Sequence, residues 1–118
     1  MNKAQITLWT NQALPSTGTV TSAPIPIGNY LGYAVQIIYG SGATGTFTLQ
    51  GSCDAGVVLQ NGTVANVSNW STITTTAISG SAGNVLYNEP NTYYYWFQIS
   101  YTATSGTGTA NASAVIKG

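Results

Sequence analysis

Apolar and polar residues alternate with a period of two through most of this chain, the pattern of strands that turn one face to a core. The clearest stretch is 93–101, Tyr-Tyr-Tyr-Trp-Phe-Gln-Ile-Ser-Tyr, where alternation sets Tyr95, Phe97, Ile99 and Tyr101 on one face and Tyr94, Trp96, Gln98 and Ser100 on the other. Aromatic and β-branched side chains suit a pleated surface. Neither face is wholly polar, so the first is expected in a core and the second beneath a further layer or a neighbouring chain. Ser105-Gly106-Thr107-Gly108 then supplies residues that tolerate positive φ, and the chain is expected to reverse there into a partner strand over 109–116.

The same order of strand, Gly-rich turn and strand occurs earlier, at 33–39, 40–45 and 46–50, with Gln36 equivalent to Gln98 and Tyr39 to Tyr101. The two units are expected as hairpins at the centres of two sheets. Residues 5–10 set Ile6 and Leu8 against Thr7 and Trp9, a first strand near a sheet edge that Asn11-Gln12 should end. Thr19-Val20-Thr21 pairs briefly at most, because Pro24 and Pro26 remove ladder donors and mark an edge or loop. Val57-Val58-Leu59-Gln60, the turn pair Asn61-Gly62 and Thr63-Val64-Ala65 predict a small protruding hairpin. Strands are then expected over 70–78 and 84–88, the second ended by Glu89-Pro90-Asn91. No segment holds apolar residues at helical spacing for three turns. Seven to nine strands joined by short turns predict an all-β chain, a single antiparallel β-sandwich domain of jelly-roll type over residues 1–118.

Charge narrows the function more than any motif does. Charged residues are 3% of the chain, against roughly a quarter in ordinary soluble domains, and only Lys3, Asp54, Glu89 and Lys117 carry them. Nucleic acid is excluded as a direct partner, since gripping phosphates takes clustered Lys or Arg. Solubility rests on hydroxyl and amide side chains, and the formal net charge of zero removes the repulsion that keeps molecules apart. The amino end lacks the apolar run of a secretory signal and no stretch is long enough to span a membrane, so synthesis in the cytoplasm without a cleaved leader and no membrane partner are expected. Asn61, Asn66, Asn69 and Asn111 head Asn-x-Ser/Thr sequences, which a chain this rich in Ser and Thr produces by chance.

The inventory for catalysis is thin. There is no histidine, and the two carboxylates, Asp54 and Glu89, sit beside separate turns. Cys53 has no base beside it in sequence, so a buried or half-buried structural role is expected. No enzyme, cofactor or metal site is expected; a calcium ion at Asp54 would need backbone carbonyls for its remaining ligands. The aromatics are the affirmative feature. Trp9, Trp70, Tyr93, Tyr94 and Trp96 are the candidate platform, either for stacking sugar rings or for anchoring other subunits.

The order Thr46-Phe47-Thr48-Leu49-Gln50-Gly51-Ser52-Cys53-Asp54, then Trp70-Ser71-Thr72-Ile73, then the Tyr-rich strand, the Ser105-Gly106-Thr107-Gly108 turn and a short closing strand resembles small β-sandwich virion proteins of bacteriophages. In those chains a strand ends in Gln-Gly-Ser-Asn-Asp-Gly. Here Cys53 stands in place of the Asn, and residues 57–69 lengthen the segment between that strand and Trp70. The resemblance implies a structural role on the particle, as head decoration, cement, vertex component, minor capsid protein or fibre part. Its partners would be the major capsid protein or other virion subunits and further copies of itself, a trimer included, and its location the virion. A carbohydrate- or receptor-binding module, such as a fibre domain, is the alternative.

Overall fold

Strands account for most of the described residues, which include no helix. The computed structural model describes residues 3–27, 32–53, 57–58, 64–65 and 67–117, the side chains of 3–4, 57–58 and 64–65 excepted. In chain order the strands are β1 (Lys3–Leu14), β2 (Thr19–Thr21), β3 (Ile25–Pro26), β4 (Gly32–Tyr39), β5 (Thr44–Ser52), β6 (Val57–Val58), β7 (Val64–Ala65), β8 (Ser71–Ser79), β9 (Gly83–Glu89), β10 (Trp96–Ser105) and β11 (Gly108–Lys117). One sheet has four strands in the order β1-β11-β4-β9. The other has five, β2-β10-β5-β8 with β3 also on β10.

All ladders run antiparallel, and four of the pairings nest one inside another: β1 with β11, β2 with β10, β4 with β9 and β5 with β8. That is a long hairpin wrapped into two layers, and wrapping brings β11 beside β4 and β10 beside β5. The result is the jelly-roll order expected from the sequence. Between the layers lie Val35, Ile37, Phe47, Leu49, Phe97, Ile99 and Tyr101, all fully buried, with Trp9, Leu14 and Ile116. Each large apolar side chain so placed stabilises the fold by about 1.5–3 kcal/mol.

The two expected hairpins are arches instead. β4 and β5 belong to different sheets, as do β10 and β11, so the Gly-rich turns at 40–43 and 106–107 carry the chain across the sandwich. A period of two tells which face of a strand seeks the core, but strands 33–39 and 46–50 satisfy that demand equally well from opposite layers. The two units do lie at the centres of the two sheets, paired with each other, β4 to β11 and β5 to β10. Their corners meet: Gly42 and Gly106 both have positive φ, 112° and 71°, and a Cβ on Gly106 would run into the carbonyl oxygen of Gly42. Tyr39 and Tyr101 are equivalent in one further respect, since both pack on Phe47, at 5.4 and 5.0 Å between ring centroids. Gln36 and Gln98 are not equivalent: Gln36 is exposed, whereas Gln98 is buried and donates from Nε2 to Gln50 Oε1 at 2.8 Å.

β10 starts at Trp96, later than the aromatic run does. Phe97, Ile99 and Tyr101 face the core as expected, but Tyr95 is 60% exposed. The ring that covers Phe97 comes from the other sheet, Tyr33 of β4, stacked on it at 4.0 Å and 7°. Trp96, Gln98 and Ser100, on the opposite face, are buried within the single chain.

Asn11-Gln12 does not end β1, which lies at a sheet edge and runs on to Leu14. Register shifts fall between Thr7 and Trp9 and between Trp9 and Gln12, and Asn11 has φ 47°. The first shift rotates Trp9 to the core side, opposite Ala112 just as Ile6 lies opposite Ala114. The second is closed by Asn111, whose Oδ1 accepts from the Asn11 backbone N–H at 2.8 Å. β2 and β3 form the proline-marked edge. Between them Ser22 donates its backbone N–H to Ile99 O, and its hydroxyl accepts from Ile99 N–H at 3.0 Å. β6 and β7 pair as expected of the small hairpin, with the Asn61-Gly62 turn outside the described residues.

Candidate interface

The five platform residues do not form one surface. Trp9 and Trp96 are buried, 5% and 4% exposed, and Trp9 packs on Phe47 at 6.4 Å. Their expected role as contact residues is thereby corrected: the bulge at Thr7/Trp9 turns Trp9 into the core, and Trp96, on the face of β10 away from the core, is covered within the chain. Trp70 is half-buried, and its indole N–H donates to Val67 O at 3.3 Å. Tyr94 is half-buried too, its hydroxyl 2.6 Å from that of Tyr33. Burial pushes both phenols above their ordinary pKa; for Tyr33 the bond to Tyr94 and the negative charge of Glu89 add to the effect. Tyr93 alone of the five is open, at 93% exposure.

Tyr93 and Tyr95 stand two residues apart on a segment fastened by its backbone. Tyr95 donates its N–H to Ser52 O at 2.9 Å and accepts from Ile27 N–H at 2.8 Å, and Cys53 Sγ lies 3.8 Å from Tyr93 O. Beside them is a cleft of about 330 Å³ lined by Gly51, Ser52, Cys53, Asn69, Ser71, Ile73 and Tyr94. Cys53 is exposed, against the expectation of burial, because it follows the last residue of β5 at the end of the sandwich. Asp54, Asn61 and Asn66 lie outside the described residues, so the geometry of a carboxylate pair or a calcium site is not described.

A second surface is the outer face of the four-stranded sheet. Its register gives three rows: Gln5, Val115, Ala34 and Asn88; Thr7, Ser113, Gln36 and Leu86; then Asn111, Ile38 and Asn84. No residue in these rows is charged. Leu86, Ile38 and Val115 are exposed at 64, 55 and 40%. Lys3 and Lys117 sit opposite each other at one margin. The platform reading missed all three aliphatic residues, yet the sequence holds their signal. Each belongs to an adjacent apolar pair, Ile37-Ile38, Val85-Leu86 and Val115-Ile116, and a strand that buries one member must expose the other. The outer face of the five-stranded sheet differs, presenting Thr19, Thr21, Thr46, Thr48, Thr75 and Thr102.

No protein family matches the sequence, and no curated protein does. Among solved structures the SPBc2 prophage-derived protein YomS is similar over 98% of this chain and 92% of its own, with a TM-score of 0.54 at 15% identity. A chain in the structure of infectious bursal disease virus, Gt strain, is similar over 98% of this chain and 32% of its own, with a TM-score of 0.53 at 13% identity. The fold is thus shared with a prophage-derived protein and with a chain of a virus structure.

Proposed function

We propose that the chain is a structural, non-catalytic component of a bacteriophage particle, decorating or cementing the capsid through the outer face of its four-stranded sheet. The observation that carries this reading is the composition of that face: three rows of side chains without a charge, among them exposed Ile38, Leu86 and Val115. Docking on these three rows, with Lys3 and Lys117 left at the margin, desolvates no ion, so the apolar contact is not offset by the cost of stripping water from charges. The amides and hydroxyls around it pair with a partner's backbone. A neutral contact of this kind is also indifferent to salt. The shared fold with a prophage-derived protein and a virus chain supports the reading as analogy, since a fold alone does not fix a function.

The test is a census of purified particles. In phage particles from the lysate that encodes this chain, washed at about 1 M salt, mass spectrometry is expected to find it in many copies. Leu86→Lys, folded by circular dichroism, is expected to stay behind in the supernatant. A chain found only in the soluble fraction of the lysate overturns the proposal.

Tyr93 and Tyr95 beside the cleft favour a second reading, a glycan-binding module in a fibre or receptor-binding position. Exposed phenol rings stack on sugars, and Asn69 and Ser71 offer hydrogen bonds. Glycan-array binding lost in Tyr93→Ala and Tyr95→Ala, with particle attachment absent, would put this reading first.

A further inference from the structure

The two long sides of the sandwich are built differently. On one side the sheets end in β1 and in β2 with β3; on the other they end in β9 and β8. The first side is guarded against pairing with other strands. β1 carries two bulges and Lys3, β2 and β3 are three and two residues long, and Pro24 and Pro26 withhold backbone donors.

The second side has almost none of these devices. β8 is nine residues, Ser-Thr-Ile-Thr-Thr-Thr-Ala-Ile-Ser, without proline or charge. Its one irregularity, opposite the Leu49/Gln50 step, leaves residues 74–79 regular. β9 is seven residues with a single charge, Glu89, at its last position. Among the described residues no strand pairs with β8 beyond β5 or with β9 beyond β4. Thr75, Ala77 and Ser79 of β8 are exposed.

We infer that β8 is a self-association edge, on which a second copy of this chain adds its own β8 in antiparallel, two-fold fashion. The regular arm fits a copy of itself. Centred on Thr76, a two-fold pairing sets Thr75 opposite Ala77 on the outer face and Thr74 opposite Ile78 on the inner face, so core-facing residues stay core-facing and no charges meet. The ladder extends the five-stranded sheet across the axis, and the unpaired N–H and C=O groups of each edge satisfy those of the other. One strand pair covers less than the roughly 800 Å² per partner of a standard interface, so the dimer forms and dissociates with concentration. The inference is independent of the particle reading, which uses the face of the other sheet.

Analytical ultracentrifugation of the full chain over a concentration series tests it. The wild-type chain is expected to pass from monomer to dimer, little changed by salt, with amide exchange in β8 slowed in the dimer. Thr75→Lys is expected to raise the dimer dissociation constant tenfold or more, and Thr75→Lys with Ala77→Glu to recover it through the cross-strand pair. Gln36→Lys, on the outer face of the other sheet, is expected to leave it unchanged. Should Thr75→Lys fail to fold, Ala77→Lys makes the same comparison. A wild-type chain monomeric throughout, a dimer unaffected by the lysine variants of β8, or one abolished by Gln36→Lys overturns the proposal.

Discussion

The core has an aromatic cluster at each end, and the two treat a buried phenol in opposite ways. At the end where β10 begins, Tyr33 stacks on Phe97, meets Tyr94 edge-on at 6.3 Å and 79°, and shares a hydrogen bond with the Tyr94 hydroxyl. Near the Gly-rich corners, Tyr101, Trp9 and Tyr39 surround Phe47, and the Tyr101 hydroxyl is buried with no hydrogen-bond partner among the described residues. The first cluster gains from its polar atoms. The second holds one at a cost, because a buried group without a partner forfeits about 1–3 kcal/mol of hydration. Tyr101 is therefore kept for its ring, which packs on Phe47 and lies against Gly45, where no Cβ intervenes.

Four measurements press on that contrast. The largest effect is expected from Gly45→Ala, whose Cβ would lie 2.5 Å from both the Tyr101 hydroxyl and the Thr102 carbonyl oxygen; denaturant unfolding should show a loss at the upper end of the about 1–3 kcal/mol typical of overpacking, or beyond it. Adding Tyr101→Phe should not restore it, since the carbonyl is backbone. Tyr94→Phe is expected to cost about 1–3 kcal/mol by leaving the Tyr33 hydroxyl buried without a partner. The reciprocal Tyr33→Phe should cost less, because the half-buried Tyr94 hydroxyl can turn to water. A Tyr94→Phe chain as stable as wild type would erase the distinction between the two ends.

The third measurement is stability against pH. Tyr33, Tyr87, Tyr94 and Tyr101 all titrate above the ordinary tyrosine value of 10.0 in the fold, chiefly through burial. Below that value both folded and unfolded chains keep these protons, so the four phenols confer no slope there. Above it the unfolded chain releases protons that the folded chain retains, and stability falls by about 1.4 kcal/mol per pH unit for each phenol still protonated. Urea midpoints between pH 9 and 12 are expected to show this slope, and Tyr33→Phe to flatten it. The smallest effect is Tyr101→Phe, expected to be neutral or to stabilise by up to about 1 kcal/mol, read as a rise of a few degrees in melting temperature.

Much of the architecture was legible in the sequence, and the features that were not share a cause. Alternation identified the strands, the prolines identified the β2–β3 edge, and turn residues identified the reversals. The reversals did not disclose which strands pair: Gly40-Ser41-Gly42-Ala43 and Gly106-Thr107 read as hairpin turns, but Tyr39 pairs with Ala110 rather than with the next strand in the chain. Partner choice is made by residues far apart in the chain, and no local pattern records it. Trp9 was misplaced for a related reason. One extra residue in β1 exchanges its faces, and that residue is defined by the register against β11. Among the exposed residues, Tyr93 was legible as a platform ring, though not as one lying ahead of β10, whereas Ile38, Leu86 and Val115 were hidden within apolar pairs that read as core.

β11 lies between β1 and β4, and it is the last strand in the sequence. The centre of the four-stranded sheet is therefore filled from far along the sequence, and β1 meets its partner across about a hundred residues of chain. Taking β11 away would uncover an edge on β1 and another on β4 together, so loss of this inner strand opens the sheet twice where loss of an outer one opens it once.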